Sequence, residues 1–135
     1  MLDDARDMQL IKRESDIVEA RQRVRALAKD LGFDHTDQAL IATAISELAR
    51  NIVNYAGEGE MRFRPFAEKG RQGLEVTASD DGPGITDIEA AMQDGYSTGN
   101  SLGLGLPGTR RIVDVFEIES SPGRGVRVHI VKWKR

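Results

Sequence analysis

Residues 37–56 read DQALIATAISELARNIVNYA, the most strongly periodic stretch of the chain. Ile41, Ile45, Leu48, Ile52 and Tyr55 recur at steps of three and four, and alanines widen the apolar arc. That spacing predicts an amphipathic helix from Asp37 to Ala56, with a cap within Asp34–Thr36 and a stop at Gly57 and Gly59. At about 100° per residue, Glu47, Asn51 and Asn54 fall on one line of this helix, at the flank of its apolar arc, while Thr43 and Arg50 point more squarely outward. A carboxylate and two amides at a half-buried edge need partners. The line is either a solvated polar edge or part of a site.

Working outward, Met8 to Glu14 alternates weakly and reads as a strand. Ser15 or Asp16 caps a following helix whose stripe is Ile17, Ala20, Val24, Leu27 and Leu31, ended by Gly32. Beyond the central helix, Glu60 to Glu68 and Gly73 to Ser79 read as two strands joined by a hairpin turn over residues 69–73. Thr86 to Met92 suits a short helix, and Gln93 to Ser101 a loop. Leu106 to Phe116 suits a helix that tolerates Pro107 in its first turn. Val115 to Ser121 and Gly125 to Lys132 read as strands turning at residues 121–124. Hairpin-joined strands favour an antiparallel or mixed sheet. The expected fold class is α/β, a two-layer sandwich of a mixed, mostly antiparallel sheet covered on one face by helices.

The 135 residues fit one domain, 1–135. With 39% hydrophobic and 30% charged residues, the chain can form a core and is not a disordered segment. Nineteen basic against twenty-two acidic side chains give a net charge of −3, which argues against a nucleic-acid binder. The basic end, Lys132 to Arg135, reads as a solvated tail. The absence of cysteine excludes a disulfide scaffold and a thiolate site, and two histidines exclude a multi-histidine metal centre. No apolar run is long enough for a membrane span, and the acidic start is no secretory signal, so a cytoplasmic protein is expected.

Two further clusters are not explained by a core. Asp80–Asp81–Gly82–Pro83–Gly84 ends a strand. It is either an ordinary turn or a sharp turn that lets the backbone approach a ligand, with Asp80 free to accept a hydrogen bond from an exocyclic amine. Ser101–Leu102–Gly103–Leu104–Gly105–Leu106–Pro107–Gly108 runs into a helix, where exposed N–H groups and the helix dipole suit phosphate. Gly103, Gly105 and Gly108 also satisfy the G-x-G-x-x-G spacing, but no strand precedes them as a dinucleotide fold requires. No Gly-Lys-Ser/Thr stands anywhere in the chain, so a P-loop is absent.

As an ordered set, ELARN (47–51), DDGPG (80–84) and LGLGL (102–106) resemble the N box and the two glycine boxes of the GHKL, or Bergerat-fold, superfamily of ATPases and kinases. The short form resembles its anti-sigma-factor-type serine/threonine kinases, and among them the switch kinases of the stressosome. The resemblance implies an ATP- and Mg²⁺-dependent kinase. Such a kinase phosphorylates a STAS-domain antagonist protein and, by partner switching, activates a PPM-type phosphatase in stress signalling. It implies Glu47 as the general base and Asn51 as the Mg²⁺ ligand. It implies ATP contacts at Asn51, Asn54, Asp80, Gly82, Gly84, Gly103, Leu104, Gly105 and Leu106, and at Ser97 and Thr98 in a lid over 96–100. Arg21 matches a partner-contacting arginine. Ser101 stands where the second glycine box usually opens with Gly, and Val126 where a threonine often follows Gly125. The alternatives are a nucleotide-dependent partner-binding module without kinase activity and a histidine-kinase catalytic domain. The second lacks a helical hairpin around His35 or His129.

Overall fold

The computed structural model of the protein describes residues 8–84, 92 and 105–135. The expected helix over 86–92, except Met92, and the expected loop and lid over 93–101 lie outside the described residues.

The order is β1 (Met8–Ile11), α1 (Glu14–Asp30), α2 (His35–Asn51), a π-helical turn (Ile52–Ala56), β2 (Gly59–Glu68), β3 (Arg71–Asp80), α3 (Gly105–Ile112), β4 (Val115–Ser120) and β5 (Val126–Trp133). The sheet runs β1-β2-β3-β5-β4, and every neighbouring pair is antiparallel. Because β5 sits between β3 and β4, those two strands run parallel without touching. The chain leaving β3 must therefore cross the sheet through the segment that carries α3.

Alternation sets the two faces. Met61, Phe63, Leu74, Val76, Ala78, Val128 and Ile130 point to one side and form a single core with Ile17, Ala20 and Val24 of α1 and Ile41, Ile45 and Leu48 of α2. Fully burying a side chain of this size contributes about 1.5–3 kcal/mol. The edge strand β1 is tied to α1 by Arg23, whose Nη1 donates to Met8 O (2.9 Å) and Gln9 Oε1 (2.8 Å). The opposite sheet face carries Arg62, Arg64, Glu75, Thr77, Glu117, Arg127 and His129.

Several expectations are corrected in detail. Helix α1 starts earlier than expected, with Arg13 as its N-cap. Asp16 acts from inside the first turn, where its Oδ2 accepts from Lys12 N (2.8 Å) and Arg13 N (3.1 Å), the reciprocal half of a capping box. Asp34 caps α2 as expected, accepting from Asp37 N at 2.8 Å. The β2–β3 turn is only Lys69–Gly70, both at positive φ (53° and 81°), as a tight two-residue hairpin requires. The basic end is a solvated tail only at Lys134 and Arg135, which are exposed. Lys132 and Trp133 are only 6% and 8% exposed because β5 runs on to Trp133 in the middle of the sheet. Lys132 Nζ lies 3.8 Å from Asp37 Oδ1, Trp133 N donates to Asp114 Oδ2 (2.7 Å), and Arg71 stacks 4.2 Å over the Trp133 ring. Helix α3 stops at Ile112 instead of Phe116, since Asp114 N already donates to Val131 O (2.9 Å) at the start of β4 pairing.

Candidate active site

The helix that carries ELARN changes pitch at its end. Gly57 N donates to Ile52 O at 2.9 Å, a five-residue step, and residues 52–56 form one π turn. A π turn advances each residue through a smaller angle than an α turn, and such bulges recur at functional sites. Tyr55, expected on the buried stripe, is rotated out and is 47% exposed. Gly57, at φ +89°, ends the helix, whereas Gly59 is already the first residue of β2.

This helix spans between the two glycine segments. At its α-helical end, Glu47 is 4% exposed, and its Oε1 accepts from Gly105 N at 3.1 Å, the first residue of α3. Its Oε2 lies 3.5 Å from Arg50 Nη1. At the π-turn end, Ala56 packs on Gly82 so closely that a Cβ there would lie 2.6 Å from Ala56 Cβ. Ala56 stands nine positions after Glu47, on the order of 10–13 Å along the helix. Asn51 sits between them, half-buried at the last α-helical position. Asn54 is on the π turn and exposed.

At the 80–84 turn, Asp80 Oδ1 accepts from Gly82 N (2.9 Å) and Val126 N (3.3 Å). Among the described residues Oδ2 makes no hydrogen bond, which leaves one carboxylate oxygen for a ligand amine. Gly84, at φ +83°, could carry no side chain, since a Cβ would lie 2.2 Å from Ser121 O. At the α3 end, Gly105 takes φ +67°, with Leu106, Pro107 and Thr109 buried behind it. Thr109 Oγ1 donates to Gly105 O at 3.0 Å. The structure thus joins Glu47 to Gly105 and the Asn51 helix to Gly82 and Asp80. Ser97, Thr98, Gly103 and Leu104 lie outside the described residues. Arg21 is exposed on α1, which packs on α2 and β1.

Two features suit a nucleotide. Next to Gly82, Asp80 has one carboxylate oxygen without a hydrogen bond among the described residues, and α3 begins at a glycine beside Glu47. No cluster of three or more His, Cys, Asp or Glu able to hold a metal stands among the described residues. Mg²⁺ takes oxygen ligands and keeps several waters, and the Asn51 amide oxygen is a group on α2 that could hold it. Sequence reasoning missed two contributors. Arg50, expected to point outward, flanks Glu47, and its three-residue spacing from Glu47 is the signal that could have shown it. The contact of Val126 N with Asp80 joins residues 46 apart in sequence and has no local signature.

Residues 12–132 match the model of the histidine kinase-like ATPase domain family. Over 125 residues the chain is 51% identical to the serine/threonine-protein kinase RsbT of Bacillus subtilis (strain 168), covering 93% of this chain and 94% of RsbT. It is 34% identical over 120 residues to an anti-sigma F factor of Caldanaerobacter subterraneus subsp. tengcongensis, covering 84% and 82% of the two chains. Among solved structures, the RsbU and RsbW domains of a Mycobacterium tuberculosis protein share the fold with a TM-score of 0.64 at 19% identity. That match covers 95% of this chain and 33% of the mycobacterial one, so this chain spans about a third of its length. The mycobacterial sensor histidine kinase MprB matches with a TM-score of 0.57 at 17% identity, over 88% of this chain and 95% of its own. With the ordered boxes on one helix and two glycine segments, the chain belongs to the histidine kinase-like ATPase family and, within it, to the protein serine/threonine kinases.

Proposed function

We propose that this kinase transfers the γ-phosphoryl group of Mg·ATP to a serine or threonine of a STAS-domain antagonist protein. We further propose that, by partner switching, it activates a PPM-type phosphatase in a stress-signalling pathway. The observation that carries the reading is the Glu47 carboxylate, buried yet held against the N–H of Gly105, the first residue of α3. The 51% identity to RsbT over nearly the whole of both chains supports it.

On this reading Asp80 accepts from the adenine amino group through Oδ2, while Gly82 and Gly84 keep the wall of the pocket free of side chains. Asn51 supplies an amide oxygen to the metal, and Asn54, Ser97 and Thr98 add nucleotide contacts. Mg²⁺ neutralises charge on the phosphates when bound. Glu47 takes the proton from the acceptor hydroxyl as its oxygen bonds to the γ-phosphorus and the bond to ADP breaks. Arg50 holds the Glu47 carboxylate in place from the exposed side of the helix. Arg21 provides a partner contact on α1. Residues 1–135 act as one catalytic domain in the cytoplasm. No helix among the described residues is long and apolar enough to cross a membrane.

The test is incubation with labelled Mg·ATP and a panel of STAS-domain proteins, followed by mapping of the labelled residue. Label on one serine or threonine is the expected result. The anti-sigma F factor relatives, named for a binding role, keep open a second reading, nucleotide-dependent partner binding without transfer. ATP-dependent complex formation with no phosphorylated residue would select that reading instead.

A further inference from the structure

The turn between β4 and β5, residues 121–125, is no ordinary surface loop, because it is packed against the whole 80–84 turn. Gly123 N donates to Pro83 O at 2.7 Å. The backbone at Gly84 meets Ser121 O, and the backbone at Gly125 meets Asp80 O, so closely that Cβ atoms there would stand 2.2 Å and 2.0 Å away. Gly125, at φ +77°, is followed by Val126, whose N–H reaches Asp80 Oδ1. The turn itself is closed by Arg124 N donating to Ser121 O (3.0 Å). It is pinned to the strand by Ser120 Oγ donating to Gly125 O at 2.7 Å. Ser120 and Val126 are cross-strand partners, and Val126 in turn pairs with Asp80.

These contacts form one mechanical chain. The Ser120 hydroxyl fixes the Gly125 carbonyl. That fixes the Gly125–Val126 peptide, whose N–H holds one oxygen of Asp80 and so orients the other. Two backbone donors on Oδ1, one from its own turn and one from β5, leave Oδ2 facing a single direction. A carboxylate held this way loses little freedom when it accepts a ligand amine.

We propose that Ser120 is a positioning residue for Asp80, and that the 121–125 turn sets the kinase's preference for a purine bearing an exocyclic amine. The inference rests on Asp80 reading that amine, as argued under the proposed function. It adds that the reading is controlled from a strand no nucleotide-binding box covers.

The test compares the affinities of ATP and of inosine triphosphate, which presents an oxygen in place of the amine, for the unaltered chain, Ser120→Ala, Ser120→Thr and Gly123→Ala. Ser120→Ala is expected to weaken ATP binding roughly five- to tenfold and to leave inosine triphosphate binding unchanged, so that the preference between the two falls. Ser120→Thr, which keeps the hydroxyl and suits a strand, retains the preference. Gly123→Ala fills no occupied space but is strained at φ +78°, and it should lose the preference through the turn without touching Ser120. Equal weakening of both nucleotides in Ser120→Ala, or loss of the preference in Ser120→Thr, would overturn the inference while leaving the nucleotide site standing. Failure of the unaltered chain to bind ATP at all would overturn the site and the inference together.

Discussion

Gly82 and Asn51 are single residues on which the proposed nucleotide site depends in different ways. A methyl group at Gly82 would meet Ala56 Cβ at 2.6 Å and Ala56 Cα at 2.9 Å. Helix and turn would have to part, at a cost of about 1–3 kcal/mol for overpacking. Gly82→Ala should therefore lower the melting temperature and weaken ATP binding together, as calorimetry and a thermal melt on the same sample would show. Asn51→Ala removes no packing of comparable size. It should weaken Mg·ATP by roughly tenfold, about 1.4 kcal/mol, with an unchanged melt, and unaltered affinity by calorimetry would remove Asn51 from the metal's ligands. Residues 47, 51, 80, 82 and 84 were singled out in the sequence by the order of the three boxes, since each cluster alone also fitted an ordinary helix edge or turn. The place of Arg50 was not legible, since a charged residue three positions from a carboxylate is usually only a solvated partner.

Whole elements respond to capping and to charge. Asp34 closes the first turn of α2, so Asp34→Ala should destabilise the protein by about 1 kcal/mol. That appears as a shift in the denaturant midpoint with an unchanged slope. On the helix-free face, Glu75 lies under Arg64 and His129. Both ring nitrogens of His129 reach carboxylates, at 2.7 Å to Glu75 and 3.0 Å to Glu117. Burial alone would push the Glu75 carboxyl up, but hydrogen bonds from His129 and Arg64, with their charge, hold it below the ordinary carboxylate range. The folded protein therefore binds this proton less readily than the unfolded chain. Its stabilising contribution is complete above the ordinary glutamate range and drains away as pH falls through the lowered folded value. Melting temperatures measured from neutral pH downward should fall, and Glu75→Gln should flatten that acid limb. A limb equally steep in the variant would place the loss elsewhere. Helix periodicity made α1 and α2 readable, yet it could not show the π turn. A pitch change over five residues leaves every apolar step of three or four intact, and it shows only in the structure, in the Gly57 N to Ile52 O bond and the exposure of Tyr55.

Across the molecule, hairpins announced an antiparallel sheet with helices on one face, because turn residues and alternation are written locally. The insertion of β5 between β3 and β4 was not written there. It depends on pairings such as Asp80 with Val126, which no local pattern encodes, and it is this insertion that brings the 121–125 turn against Asp80. The same pairing buries Lys132 and Trp133, which in isolation looked like a charged tail. The proposed site is therefore a product of topology. In it one helix would contribute Glu47 and Asn51, the end of a central strand Asp80, and a helix on the crossover Gly105. The central claim is that these act as one phosphoryl-transfer centre with Glu47 as its base. It is tested most directly by measuring Glu47→Ala against the unaltered chain for both ATP affinity and the single-turnover rate of phosphate transfer to whichever protein the unaltered chain labels. The account predicts near-equal affinity and a transfer rate lower by roughly 10²–10⁴-fold, whereas transfer at the unaltered rate would contradict it.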